Sequence, residues 1–117
     1  MRAILAGTLA AERPTLLDDL LEDSARIYHR HCAVIQTVFH KQWLKTVGDY
    51  VGREQIEFPN EPAALVEARV RDRLSQYRQE LRQAQAGLIS QERQKRAERD
   101  RAIRCYVASL PAHAEAA

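Results

Sequence analysis

REQIEFPNE, residues Arg53 to Glu61, decides the fold of this chain. Pro59 and Asn60 sit side by side in it, and together they read as the one clear connection between two long stretches that carry few helix breakers. Asn60 is placed to cap a following helix, with Pro62 tolerated in its first turn.

The stretches on either side are helical by composition. The chain has 117 residues, 45% of them apolar and 29% charged, with only four glycines and four prolines. That balance favours a single domain, residues 1–117, built from long helices joined by few loops. Upstream of the connection, a first long helix is expected over residues 15–51. Thr15 serves as its N-cap, and Asp18, Asp19, Glu22 and Asp23 supply the negative charge that suits a helix start. Gly48 and Gly52 weaken its far end. Before it, residues 1–13 form an Ala-rich arm or short helix ended by Pro14. Downstream, a second helix is expected over residues 61–109, roughly 70 Å if straight at 1.5 Å per residue. A frayed tail, residues 111–117, follows. No internal repeat points to a solenoid.

One connection between two helices predicts an all-α antiparallel hairpin. The first helix carries an apolar stripe at steps of three or four: Leu21, Ala25, Tyr28, Cys32, Ile35, Phe39, Trp43, Val47 and Tyr50. Ile27, Val34 and Val38 widen it, and so broad a face calls for more than one neighbour. The second helix carries a narrower seam, Val70, Leu74, Tyr77, Leu81, Ala84 and Leu88. A turn near Phe58 pairs Phe39 with Tyr77, Ile35 with Leu81, Cys32 with Ala84 and Tyr28 with Leu88. Beyond Tyr28 this register sets Leu21 and Leu17 against Lys95 and Arg99. Two apolar patches at the same end of the hairpin are then left without a partner: Leu16, Leu17, Leu20 and Leu21 on the first helix, and Ile103, Tyr106, Val107 and Leu110 on the second. Mutual burial across a two-fold axis makes them the expected self-association surface of a four-helix dimer.

Charge supplies a second candidate surface. The net charge of +2 implies no particular partner, and fifteen of the eighteen basic residues are Arg, a compositional bias that says little by itself. Placement says more. Arg71, Arg78, Arg82, Arg93 and Arg96 fall within about 60° of one another on an ideal helix. Such a line fits an acidic protein groove or a phosphate backbone. Eleven basic residues in 61–117 are nevertheless offset by eight acidic ones, and no aromatic interleaves with the stripe to stack bases.

Chemistry-bearing patterns are sparse. Three of the four histidines and one of the two cysteines stand in residues 26–43. On a helix, however, His29 and His40 lie roughly 16 Å apart, and His31 points away from His29. Only His29 and Cys32 have a spacing to share an ion, and zinc needs three or four ligands. Cys32 reads as a small core residue, too far from Cys105 for a disulfide. The glycine-rich phosphate loop and the HExxH, GxSxG and CxxC motifs are absent. No catalytic, metal or cofactor residue is therefore assigned. The first twelve residues resemble a signal peptide only faintly, and no apolar run is long enough to span a membrane, so the cytoplasm is the expected location. These readings favour a non-enzymatic adaptor, accessory subunit or inhibitor that binds another protein, itself a homodimer; nucleic acid is the alternative partner.

Overall fold

The computed structural model is all-helical. Three helices and no strand occur among the described residues: α1, Arg2–Glu57; α2, Ala63–Arg73; and α3, Ser75–Ser109. Residues 2–111 are described, those from 15 to 111 with their side chains, while Met1 and the tail from residue 112 lie outside the described residues; α1 runs from Arg2 through Pro14 without the break expected there. The internal contacts gather into two compact units, Met1–His31 with Gln91–Ala117, and Cys32–Ser90. Both draw on α1 and α3, and each is considered by itself.

The unit Cys32–Ser90 is built on apolar contact. Trp43 and Val47 of α1 cluster with Val66 and Val70 of α2 and with Leu74, and Val51, Tyr77 and Leu81 pack against them. Val66 and Val70 are 0% and 1% exposed. Trp43 stacks on Tyr77 with ring centroids 6.4 Å apart. Gln42 Nε2 donates to the Tyr77 hydroxyl at 3.4 Å, and Thr46 Oγ1 lies 3.5 Å from it. These bonds, Thr46's first, hold the Tyr77 hydroxyl below its ordinary pKa of 10.0.

This core explains why α1 outruns its expected end at residue 51. Gly48 and Gly52 each cost a helix about 1 kcal/mol relative to Ala. Val47 and Val51 nevertheless sit one turn apart against the core, and Glu54, a further turn on, is also buried. Glu54 is held by Arg69 and Arg73 of α2, and Arg69 also pairs with Glu61 and lies over the Phe58 ring. Tertiary contact thus carries the helix past two weak positions.

The start of α2 differs from expectation as well. Pro62, not Asn60, is the N-cap residue, and no side chain caps the helix. The Pro62 carbonyl accepts from the backbone N–H of Leu65 at 3.1 Å and of Val66 at 3.2 Å. A residue preceding proline is disfavoured in the helical region, which bars Glu61 and so moves the start past Asn60. The expected second helix is also interrupted once, at Leu74, with φ −89° and ψ 10°. The break is slight: Leu74 N–H still bonds Val70 O at 3.0 Å, and Arg78 N–H bonds Leu74 O at 2.8 Å.

The other unit, Met1–His31 with Gln91–Ala117, is joined by polar contacts. Arg99 donates from Nε to Ser24 Oγ and from Nη2 to the Ser24 carbonyl, both at 3.2 Å. Arg96 lies 5.3 Å from the centre of the Tyr28 ring. His31 Nδ1 and Glu92 Oε2 are 3.0 Å apart, and Lys95 donates to Glu92 at 3.4 Å. Ser24 and Glu92 are both buried. The His31 hydrogen bond is the main reason the Glu92 carboxyl lies below its ordinary pKa of 4.5, with Lys95 adding to it.

These contacts correct the expected register, by about two turns in this unit and by one in the unit Cys32–Ser90. Ser24, not Leu21 or Leu17, meets Arg99. In the unit Cys32–Ser90, likewise, Trp43 meets Tyr77 and Arg78 where Phe39 was expected opposite Tyr77. The cause is local. The connection runs from Phe58 to Pro62, so its midpoint is Asn60 and not Phe58.

Candidate functional site

A groove opens in the unit Cys32–Ser90, where α1 and α3 each contribute four residues. From α1 come Gln36, Phe39, His40 and Trp43; from α3 come Arg78, Leu81, Arg82 and Gln85. Both sets follow one spacing, a first residue and then the third, fourth and seventh after it, so each presents one helix face across two turns. The volume is about 350 Å³. Trp43 is buried and Phe39 and Leu81 are half-buried, forming an apolar floor. Gln36, His40, Arg78 and Arg82 are exposed along the rim.

The electrostatics of the groove are one-sided. No carboxylate lines it. Arg78 places its guanidinium 5.3 Å from the Trp43 ring centre, a cation–π contact that fixes the side chain without neutralising it. Among the described residues, neither Arg78 nor Arg82 makes an ion pair, in contrast to Arg26, Arg69, Arg71, Arg73 and Arg96. Four residues apart on α3, they present two adjacent cations above an apolar floor. This arrangement has the charge and geometry to suit an anion, and it shows no nucleophile or general base held by a third group among the described residues.

The five arginines singled out from the sequence therefore part company. Arg78 and Arg82 come together in the groove. Arg71 bonds Glu67, with its Nη2 2.9 Å from the carboxylate. Arg96 is half-buried, stacked on Tyr28 and 3.8 Å from Asp100. Arg93 is exposed on α3 in the unit that includes Gln91–Ala117. An ideal-helix projection counts all five as one face because it cannot see which of them a neighbouring helix or acid has taken.

The proposed self-association residues are also not alike. Val107 is only 5% exposed, while Leu17, Leu20, Leu21, Ile103 and Leu110 are half-buried. Leu16 and Tyr106, at 37% and 57%, are the open ones. With Ser24 opposite Arg99, equal steps along two helices bring Leu20 level with Ile103 and Leu16 with Val107.

The sequence analysis weighed His40 only as a metal ligand, and it assigned no role to Gln36 and Gln85 or to the Glu54 clamp. The signal was present: the two sets of four mirror each other about residues 60 and 61, and centring the turn on Asn60 reveals them. Of the other candidate ligands, Cys32 is buried and Cys105 exposed, both as free thiols, and His29 packs edge-on against Tyr28 at 5.3 Å. Among the described residues no three of His, Cys, Asp or Glu are grouped to hold a metal ion, and no helix is long and apolar enough to cross a membrane. No protein family, curated protein or solved structure matches this chain.

Proposed function

We propose that the chain is a non-enzymatic helical binding protein, an adaptor, accessory subunit or inhibitor, that acts through contacts with another protein. Its architecture in this reading is an antiparallel hairpin of helices. In support, the contacts within each unit step in opposite directions along α1 and α3, from Tyr28 with Arg96 to Ser24 with Arg99, for example.

The observation that carries the reading is a second apolar face on α1. Val34 and Val38, one turn apart in the unit Cys32–Ser90, are each 57% exposed. Val38 points about 140° and Val34 about 180° round the helix from Trp43, away from the core. Single exposed apolar residues are ordinary, but a pair at helical spacing on a helix that already buries its other face is the pattern of a helix awaiting a neighbour. A second copy of the chain or a different protein fills the role equally well.

A photoreactive benzophenone amino acid in place of Val38 tests this in cells that make the protein. The expected result is a covalent adduct with protein that disappears on Val34→Asp. An adduct with a second copy identifies a homodimer. No adduct, or an adduct with nucleic acid alone, overturns the reading.

A further inference from the structure

We infer that the groove of Phe39, Trp43, Arg78 and Arg82 binds an acidic helical segment of the partner protein, the two guanidiniums each taking a carboxylate and the floor taking the apolar side chain between them. This rests on the reading of the chain as a protein-binding molecule and adds the chemistry of what it binds.

Charge complementarity selects the occupant. Arg78 and Arg82 lie on one rim with no ion pair among the described residues, and no carboxylate lines the groove to oppose an incoming one. Their spacing of four residues matches two carboxylates one helical turn apart on a facing helix. The carboxamides of Gln36 and Gln85, which the mirror about residues 60 and 61 sets at the same end of the groove, offer donors and acceptors to one flank of such a segment. The volume of about 350 Å³ is at the low end for a ligand pocket and suits one or two apolar side chains on a passing segment.

A nucleic-acid strand fits less well. Base stacking needs an open aromatic face, yet Trp43 is 6% exposed and Arg78 covers its ring. A phosphate backbone needs a run of free cations, and Arg71 and Arg96 are already engaged with Glu67 and Asp100.

The probe is a fluorescein-labelled helical peptide of twelve residues with two glutamates four positions apart and a leucine between them, titrated against the full chain. Its counterpart carries glutamine in place of both glutamates. We expect saturable binding of the acidic peptide, at least tenfold weaker binding of the glutamine peptide, and at least tenfold loss for R82Q, since Arg82 makes no hydrogen bond or ion pair among the described residues. R82K keeps the charge and is expected to retain most of the affinity. R78Q gives a second reading, with circular dichroism confirming that loss of the Trp43 contact leaves the helices intact. Equal binding of both peptides, full affinity in R82Q, no saturable binding, or displacement of the peptide by a single-stranded oligonucleotide at lower concentration than by excess unlabelled peptide would each overturn the assignment. Because position 38 lies on another face of α1, an adduct there combined with failure of the peptide removes only the groove; failure of both removes the protein-binding reading itself.

Discussion

The two units use the same pair of helices and hold them together in opposite ways. In residues 32–90 the contact is Trp43, Val47, Val66, Val70 and Leu74, apolar and tightly buried. In the other unit, where α3 carries eight charges in the twelve residues from Ser90 to Arg101, the contact is Arg99 on Ser24, Arg96 on Tyr28 and His31 with Glu92. Apolar burial is non-directional and tolerates small shifts, whereas a buried hydroxyl or carboxylate demands its partner at a fixed distance. The first unit is thus fitted to supply stability, and the second to fix which residue of α3 meets which of α1.

The sharpest test removes methyl groups from the apolar side. Val66→Ala or Val70→Ala should cost about 2–3 kcal/mol, the value of a fully buried valine, read by urea unfolding. Trp43, the chain's only tryptophan, reports on that unit by fluorescence. Next comes the polar side. Arg99→Ala removes the donor to the buried Ser24 hydroxyl and the second donor to its carbonyl, and should cost about 1–2 kcal/mol, seen as faster hydrogen exchange around Ser24 with the Trp43 signal little changed. An equal loss from Arg99→Leu and from Arg99→Ala would support the hydrogen bonds over mere packing; full rescue by Leu would contradict the contrast drawn here.

A smaller effect, of opposite sign, is expected at the glycines. A Cβ at Gly48 or Gly52 meets no atom within 4 Å, so Gly→Ala at either should stabilise by about 0.5–1 kcal/mol, raising the thermal midpoint. The smallest effect is acid sensitivity through Glu92. Its pKa is lowered in the folded chain, so its contribution is fully present above the unfolded value of 4.5 and is lost as pH falls through the lower folded value. His31 is half-exposed, which limits the size of that contribution. Glu92→Gln should flatten this acid limb in hydrogen exchange of residues 24–31 while leaving Trp43 fluorescence unaffected.

Much of this was legible in the residues. The stripe from Leu21 through Val47 is buried or half-buried throughout in α1, because a step of three or four keeps side chains on one side of any helix. The seam of α3 was legible only as far as Leu81. Ala84 and Leu88 then stay exposed while Gln85, Ile89 and Glu92 turn inward. An apolar pattern cannot announce a buried face made of glutamine, glutamate and arginine, since each is read as solvated until its partner is seen. The groove was half legible. Arg78 and Arg82 were marked by their spacing, but His40 and Gln36 needed the register, and the register depended on where a five-residue connection has its centre.

By itself, then, the sequence determined the helices, the single connection at Pro59 and Asn60, and the apolar face of α1. All three follow from local periodicity and from backbone restrictions that no neighbour can lift. The tertiary structure alone decided that α1 runs past Gly52 to Glu57, that Arg96 stacks on Tyr28 while Arg82 stays free, and that Arg99 meets Ser24. Each of these depends on what stands opposite, and a one-turn shift between two helices changes every facing pair while leaving the pattern along each helix untouched.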